Sequence, residues 1–446
     1  MKRLLLLTLA AVFVLGLLAG CSGGNNEPAP SNSTPPASGG TDQSADPAEV
    51  SGEITFIHQR TDLNDTVFKN EYIPRFNEKY PNVKVNLETM DDYEGQISIR
   101  MNTKDYGDVL LIPDMPATDL PNFFEPLGSQ EEMSQTYLFM DERAYQGTTY
   151  GIPITVNADG ILYNKPVFEQ AGITSIPATI EDFIAALQKI KDNTDAIPLY
   201  TNYAAGWALS QWESHRLSIS GDPEYVTYKM VNENDPFVAG KPHYILYKLL
   251  YDVSNLDLIE DDPLTTDWES SKAWIGEGKI ATMVLGSWAV SQAKELAANP
   301  DDIGYMPFPY QVDGKNYAAS GGDYKIAVNV NSKNKEAAKA WLYWFINESG
   351  YALSQGGISP VIGDPFPETL KAFEDLGVQF VSNTPNPDQE GYTDLIDQES
   401  EVGLWQPNFK LRIIEAAIGN RNESFDDIMN DLNTKWNTAR EKIVNQ

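Results

Sequence analysis

The sequence predicts an α/β protein built around an open, mostly parallel sheet. Residues 53–59 (EITFIHQ) and 83–90 (VKVNLETM) alternate apolar and polar side chains, as half-buried strands do. Residues 108–114 (DVLLIPD) form a short continuous apolar run, which is typical of a strand covered on both faces. Helical periodicity separates the first two strands, and a less regular helical pattern precedes the third. The resulting order, β-α-β-α-β, implies parallel strands joined by right-handed crossovers.

The helices are predicted from the spacing of apolar residues and from capping residues. Aromatic residues recur at helical spacing from Phe68 onward, and Pro81 ends that helix. Thr179 can cap a second helix, and two more begin after Asn334 and at Ser424. The tryptophans on the apolar stripes of the last two are predicted to pack in the core: Trp341, Trp344 and Trp436.

The N-terminal apolar run is typical of a secretory signal peptide. Two basic residues precede Leu4–Leu18, and small residues follow it. The sequence LAGC at residues 18–21 resembles a bacterial lipobox, in which the cysteine is lipidated and becomes the first mature residue. We therefore predict a lipoprotein signal peptide at residues 1–20 and a lipid such as palmitate on Cys21.

The segment after the cysteine has the composition of a tether. Residues 22–49 contain no aromatic residue and no Val, Ile or Leu, so they bury too little apolar surface to fold. Residues 21–50 are therefore predicted to be the lipidated cysteine and a disordered tether. Together these features predict a protein held at the extracellular face of the cell membrane by its lipid anchor alone.

Charge and cysteine content argue against several classes of protein. The chain has 64 acidic residues against 32 Lys plus Arg, a net charge of −32. Proteins that bind nucleic acid need basic patches, so nucleic acid is not expected as a partner. The single cysteine is Cys21, which leaves no disulfide framework and no cysteine-based metal site. No metal and no cofactor are predicted.

The sequence carries no enzyme motif that we could assign. The three histidines lie outside any H-E-x-x-H pattern, and no G-x-S-x-G elbow occurs. Residues 276–279 (GEGK) lack the rest of a phosphate-binding loop, and residues 260–262 fit a solvated acidic turn. We therefore predict no catalytic residues. The paired carboxylates of a glycosidase are spaced in three dimensions and not in sequence, so a surface glycosidase stays open as an alternative.

Tryptophans outside the helical stripes are candidates for ligand binding. An aromatic ring offers an apolar face to the CH groups of a sugar, while nearby polar groups bind the hydroxyls. Trp288 follows the apolar strand at 280–285, and ligands of open α/β sheets bind beyond the carboxyl ends of strands. Four such tryptophans stand among Gly, Ser, Asn and Gln: Trp207, Trp212, Trp288 and Trp405.

Three segments together resemble the family-1 extracellular solute-binding proteins of bacterial ABC importers, the group that includes maltose-binding protein. They are residues 150–183 (YGIPITVNADGILYNKPVFEQAGITSIPATIEDF), 278–292 (GKIATMVLGSWAVSQ) and 321–346 (GGDYKIAVNVNSKNKEAAKAWLYWFI), and residues 412–429 are more weakly similar. The resemblance covers most of residues 51–446. It implies a two-lobe, periplasmic-binding-protein-like fold of type II, each lobe a mostly parallel sheet flanked by helices, with a hinge and a ligand cleft between them.

The resemblance also implies that each lobe is discontinuous in sequence. The N-terminal lobe would comprise residues 51–157 plus about 320–358, and the C-terminal lobe about 160–314 plus about 364–446. The chain would cross near Asn157–Gly160, return near Gly314–Ser320 and cross again near Ser359–Asp364.

Several polar positions match places where the family contacts ligands. His58, Gln59 and Arg60 follow the first strand, where the family often places ligand contacts. Asp114 ends the third strand and matches an acidic residue that binds hydroxyls. Asn157 falls where maltose-binding protein has a carboxylate, so the resemblance implies a different hydrogen-bond pattern there.

Aromatic positions complete the implied site. Trp288 matches the tryptophan of a GxWA motif that lines the cleft, and either Trp207 or Trp212 would supply a further stacking ring. Trp405, fourteen residues before Gly419, fits another stacking position. Asp323 and Tyr324 follow the double glycine at 321–322, where relatives often carry an aromatic residue.

The resemblance implies a substrate-binding lipoprotein of an ABC importer. It would capture a carbohydrate, an oligosaccharide, by aromatic stacking and hydrogen bonds, and deliver it to transmembrane permease subunits served by a separate ATPase. We expect a monomer. Three alternatives stay open: the same fold binding a non-sugar solute such as a peptide or polyamine, a ligand-sensing partner of a receptor kinase, and the surface glycosidase.

Overall fold

A computed structural model describes residues 46–90 and 93–445. The predicted signal peptide, the predicted lipidation site at Cys21 and most of the predicted tether lie outside the described residues. Within those ranges, no helix has both the length and the apolar character needed to cross a membrane. The described residues belong to one compact unit that spans residues 45–446.

Strands occur throughout the described ranges. In chain order they are β1 (Ser51–His58), β2 (Asn82–Thr89), β3 (Val109–Leu111), β4 (Gly128–Ser129), β5 (Ala144–Tyr145), β6 (Thr148–Thr149), β7 (Ile152–Pro153), β8 (Val156–Asn164), β9 (Ile197–Leu199), β10 (Ile280–Gly286), β11 (Ile303–Met306), β12 (Gln311–Val312), β13 (Lys315–Gly322), β14 (Lys325–Val328) and β15 (Gln379–Val381).

Helices connect and flank these strands. In chain order they are α1 (Thr61–Leu63), α2 (Ile73–Lys79), α3 (Tyr93–Arg100), α4 (Leu120–Phe123), α5 (Gln130–Met133), α6 (Lys165–Gln170), α7 (Ile180–Asn193), α8 (Trp207–Ser210), α9 (His215–Ser220), α10 (Met230–Asn232), α11 (Pro242–Asn255), α12 (Trp268–Gly276), α13 (Trp288–Leu296), α14 (Lys335–Asn347), α15 (Tyr351–Ser354), α16 (Lys371–Asp375), α17 (Tyr392–Ser400), α18 (Asn408–Ala417) and α19 (Phe425–Val444).

The first sheet contains the three strands that open the globular region. Its order is β2-β1-β3-β14-β7. β1 pairs in parallel with β2 from Ser51–Asn82 to His58–Thr89, and in parallel with β3 at Phe56. The parallel arrangement predicted for these strands is therefore confirmed. β14 comes from much later in the chain and pairs antiparallel with β3 and with β7.

The second sheet is mostly antiparallel, so the expectation of a mostly parallel sheet is wrong for it. Its order is β12-β13-β8-β10-β9, with β11 also on β8 and β15 also on β13. The long strand β8 pairs antiparallel with β10, β11 and β13, whereas only the pairs β9–β10 and β13–β15 are parallel among the described strands of this sheet. A continuous apolar run such as residues 280–285 indicates a buried strand but does not encode its direction.

Buried apolar side chains form separate cores on the two sheets. One core draws on residues 50–154 and 326–351 and packs on the first sheet. Two adjoining clusters, drawn from residues 158–319 and 370–439, pack on the second. The chain therefore passes between cores at three places: between β7 and β8, between β13 and β14, and after α15.

The predicted helix starts agree with the structure. Thr179 Oγ1 accepts a hydrogen bond from Asp182 N at 3.1 Å and caps α7, and Ser424 caps α19 in the same way. The helix predicted from Phe68 begins as a π-helical segment, Asn64–Tyr72, and continues as α2. The tryptophans predicted to be core residues are buried: Trp341, Trp344 and Trp436.

A candidate ligand-binding cleft

The segments that connect the two cores lie side by side. In the antiparallel pair of β8 and β13, Asn157 lies opposite Gly321 and Val156 opposite Gly322. Val156 also forms a bridge with Ile358, in the third connecting segment. Side chains carried by both cores therefore meet around these strands, as in a cleft between two bodies joined by a hinge.

 A cavity beside these connecting strands is lined by six of the residues that the sequence predicts to bind the ligand. The volume of this cavity is about 270 Å³. The selected residues that line it are Gln59, Arg60, Asn157, Trp288, Asp323 and Tyr324, and further lining residues are Thr155, Ser291, Gln292, Tyr351 and Gln355. We call it the Trp288 cavity.

Two tryptophan rings lie beside that of Trp288, and the three rings contact one another. The ring centroids of Trp207 and Trp288 are 5.8 Å apart, those of Trp268 and Trp288 5.7 Å, and those of Trp207 and Trp268 5.0 Å. Trp207 is exposed over 40% of its surface, and the other two are partly buried. We call these three residues the tryptophan wall. Sequence reasoning missed Trp268, whose only signal is its place in the first turn of α12, directly after the capping residue Asp267.

The turn before Trp288 fixes the position of its ring. Ser287 N donates to Ala158 O at 2.8 Å, and Ser287 Oγ accepts from Ala158 N at 3.1 Å, so the turn is tied to β8. A Cβ atom on Gly286 would lie 2.7 Å from both Cδ1 and Nε1 of Trp288. Gly286 therefore leaves the space that the indole occupies.

Arg60 is a fixed hydrogen-bond donor that lines the same cavity as Trp288. Its Nε and Nη2 donate to the Asp62 carboxylate at 2.9 and 2.6 Å, and its Nη1 donates to Gln355 Oε1 at 2.5 Å. Burial alone would lower the pKa of Arg60, but the hydrogen bonds and charge of Asp62 raise it above its ordinary value. The guanidinium therefore stays charged and held in one orientation.

Asp323 and Tyr324 form the part of the cavity between β13 and β14. Asp323 N donates to Thr155 O at 2.8 Å, and Asp323 Oδ1 accepts from Tyr324 N at 2.8 Å. Burial raises the pKa of Asp323, while the Tyr324 N–H and the charge of Lys325 act in the opposite direction. The Tyr324 ring meets the Tyr93 ring edge to face, with centroids 5.6 Å apart. A carboxylate, an amide and a guanidinium therefore line the same cavity as the Trp288 indole.

Two further cavities adjoin each other around Arg216. Their volumes are about 370 and 570 Å³, and both are lined by Asp141, Arg216 and Trp405. The Arg216 guanidinium carbon lies 5.0 Å from the centroid of the Trp405 ring. Asp159 on β8 lines the smaller one, and its Oδ1 would lie 3.3 Å from a Cβ atom on Gly286. Asp159 therefore lies between these cavities, which we call the Arg216 cavities, and the Trp288 cavity.

Replacing Asp159 with asparagine should stabilise the unliganded protein above pH 6. Burial raises the pKa of Asp159 to about 6, although a hydrogen bond from Ser214 and the charge of Arg216 oppose the shift. An aspartate whose pKa is raised in the folded state lowers the free energy of unfolding as the pH rises from about 4 to 6, because the carboxyl group ionises first in the unfolded chain. We expect Asp159→Asn to gain about 1–3 kcal/mol at pH 7.5 and nothing near pH 4, measured by urea unfolding. An equal gain at both pH values would contradict this assignment.

Besides Trp207, which contacts the Trp288 ring without lining a cavity, three residues predicted to bind the ligand do not line these cavities. His58 is buried on the core-facing side of β1, two residues after Phe56, and its ring stacks on Phe68 with centroids 4.3 Å apart. Trp212 is 1% exposed and lies in the core of the second sheet. Asp114 is exposed at the surface, 3.8 Å from Arg143. The structure thus places the first two in the core and the third outside the described cavities, whereas Trp207 and Trp405 adjoin them.

Comparison with known proteins now identifies the family. The family model described as bacterial extracellular solute-binding protein matches residues 61–352. This chain belongs to that family. A solved structure similar to this solute-binding protein is a binding protein of an ABC transporter from Bifidobacterium animalis subsp. lactis in complex with mannobiose. The two are 37% identical, over 90% of this chain and 97% of that chain, with a TM-score of 0.82.

Two further relatives extend the comparison. A manno-oligosaccharide specific solute-binding protein of the same organism, in complex with mannotriose, is 34% identical over 90% of this chain and 97% of that chain, with a TM-score of 0.82. The multiple sugar-binding protein of Streptococcus mutans is 23% identical over 64% of this chain and 69% of its own length. This solute-binding protein therefore has the type II fold that the sequence predicted.

Proposed function

We propose that this solute-binding protein captures an oligosaccharide in its cleft and delivers it to the permease of an ABC importer. The observation that carries the proposal is that Trp288, which contacts the other two rings of the tryptophan wall, lines the same cavity as several fixed polar groups. The wall offers an apolar surface to the CH groups of a sugar ring. Arg60, Asp323 and Asn157 offer donors and acceptors to its hydroxyls.

The relatives support a sugar as the ligand. Two similar structures contain mannobiose and mannotriose, and a curated relative is named for binding multiple sugars. These similar proteins are binding proteins, which favours capture over the hydrolysis expected of a glycosidase. A sugar is also favoured over a peptide or polyamine by the number of exposed or partly buried tryptophans at the cleft.

The anchor and the lobe boundaries are part of the same proposal. We propose lipidation at Cys21 after removal of residues 1–20, with residues 21–50 as a tether at the extracellular face of the membrane. The two lobes would comprise residues 51–157 with about 320–358, and about 160–314 with about 364–446. The separate cores on the two sheets support this division.

Fluorescence titration with neutral oligosaccharides tests the proposed function. The cleft tryptophans should change their emission on binding, and the melting temperature should rise with ligand concentration by mass action. Mannobiose and mannotriose are the first ligands to test, followed by other plant-polysaccharide oligomers. If no sugar of the panel changes either signal, the carbohydrate proposal fails.

Replacing Gly286 with alanine should weaken sugar binding without unfolding the protein. The added methyl group would meet the Trp288 indole at 2.7 Å and displace it from its position in the cavity. We expect a loss of about three- to tenfold in affinity for a sugar that binds the wild type, measured by calorimetry. Circular dichroism should show an intact fold. Unchanged affinity would mean that the position of the indole does not matter.

A further inference from the structure

Arg216 is a buried residue that nevertheless reaches the cleft. It is 3% exposed, yet it lines both Arg216 cavities. The Trp405 ring, 48% exposed, lies over its guanidinium. The Nε atom of Arg216 is buried and has no hydrogen-bond partner among the described residues. A buried donor without a partner is unusual and indicates a place for a ligand or water.

A buried carboxylate is paired with Arg216. Arg216 Nη1 lies 3.1 Å from Glu213 Oε1 and donates to Glu213 O at 2.8 Å. Glu213 is completely buried. Its Oε1 also forms a hydrogen bond with His243 Nε2 at 2.7 Å, and its Oε2 accepts a hydrogen bond from the Tyr247 hydroxyl. Glu213 is therefore a built-in counter-ion for Arg216, which it shares with the buried Lys410 at 4.0 Å, and a ligand carboxylate would compete with it for the guanidinium.

The same buried cluster holds the segment that carries Trp405. Lys410 Nζ lies 4.0 Å from Glu213 Oε2 and donates to Leu404 O at 2.6 Å and to Gln406 O at 2.9 Å. These two carbonyls flank Trp405 in the chain. Glu213 therefore stands at the centre of a cluster that fixes both the guanidinium and the segment bearing the ring.

The groups that face Arg216 are acidic. Asp141, Asp159 and Asp394 are among the carboxylates that line the Arg216 cavities, and Arg216 is the sole basic residue in the described linings. A carboxylate on a ligand would meet these like charges without gaining a free positive charge. A neutral hydroxyl or ring oxygen would meet no such repulsion.

The Arg216 cavities adjoin the tryptophan wall. Gly206 precedes Trp207, and a Cβ atom on Gly206 would lie 3.4 Å from Pro407 Cγ. Pro407 is two residues after Trp405. The segment carrying Trp207 therefore touches the segment carrying Trp405.

We propose that Arg216 is a specificity-determining residue, which donates hydrogen bonds to a neutral sugar ring beside Trp405, and that Glu213 is its positioning residue. This inference rests on the proposed function and narrows its substrate class to neutral oligosaccharides long enough to extend from the Trp288 cavity to the Arg216 cavities. Acidic sugars, such as uronates, are rejected.

Calorimetry with mannotriose and with a trimer of mannuronate tests the inference. We expect the wild type to bind mannotriose at least about tenfold more tightly than the acidic trimer. Arg216→Lys and Trp405→Ala should each weaken mannotriose binding by about tenfold. Glu213→Gln should reduce the preference for the neutral trimer, because it exposes the charge of Arg216. A purely structural role of Glu213 would not change that preference.

Each outcome of the experiment decides between the proposals. If the wild type binds neither trimer nor any other sugar of the panel, the proposed function itself fails. Equal binding of the two trimers, or unchanged mannotriose affinity in both Arg216→Lys and Trp405→Ala, overturns only the inference. If Glu213→Gln folds and keeps the wild-type preference for the neutral trimer, Glu213 is not a positioning residue for Arg216. Should that variant not fold, the other two variants still decide the role of Arg216.

Discussion

Replacing Trp288 with alanine is expected to weaken sugar binding by at least about tenfold while leaving the fold intact. The indole lines the Trp288 cavity and touches two other tryptophan rings, so its removal takes away the central part of the apolar wall. The residue is partly buried at the start of α13, outside the strand that supports it. Calorimetric titration of the variant with mannotriose measures the effect.

Trp274→Ala is the matched control for this variant. Trp274 is also a partly buried tryptophan of the same core, but it lines a separate cavity and meets the Tyr200 ring. We expect it to lose stability and to keep its affinity for sugar. If Trp288→Ala binds as tightly as the wild type, or if the two variants lose affinity equally, then the Trp288 ring does not contact the ligand.

Replacing Lys410 with methionine is expected to lower the free energy of unfolding by about 2–4 kcal/mol. The ammonium group is completely buried and donates to the carbonyls of Leu404 and Gln406, which would lose their partner. Glu213 would also lose one of the positive charges that surround it. Urea unfolding followed by circular dichroism measures the change.

Lys442→Met is the control for the buried lysine. Lys442 pairs with Glu399 at 2.5 Å, but both side chains are largely exposed, and exposed pairs contribute about 0–1 kcal/mol. We expect its unfolding curve to stay close to that of the wild type. Equal free energies of unfolding for Lys410→Met and Lys442→Met would show that the buried cluster around Glu213 contributes no more to stability than a surface ion pair.

Local patterns in the sequence were sufficient for part of the fold and of the site. Alternation located β1 and β2, and capping residues located the starts of α7 and α19. The sequence places Trp288 just beyond a buried strand, and in the structure this residue lines the Trp288 cavity. The burial of His58 could have been predicted from the alternation of β1, because His58 shares the core-facing side of that strand with Ile54 and Phe56.

Other features depend on contacts between distant parts of the chain. The direction of β10 is set by its pairing with β8, which an apolar run alone does not indicate. Glu213 and Arg216 look like ordinary surface residues in sequence. Their burial follows from partners far along the chain, such as His243 and Lys410. Only the folded arrangement brings these charges together under the cleft.

A crystal structure of the protein with mannotriose tests the central claim most directly. The account predicts one sugar ring with its carbon atoms within about 4 Å of the Trp288 indole. It also predicts that hydroxyls of the sugar bond to Arg60 or Asp323 in the Trp288 cavity. A mannotriose bound away from the cleft, or bound there with no contact to Trp288, would contradict it.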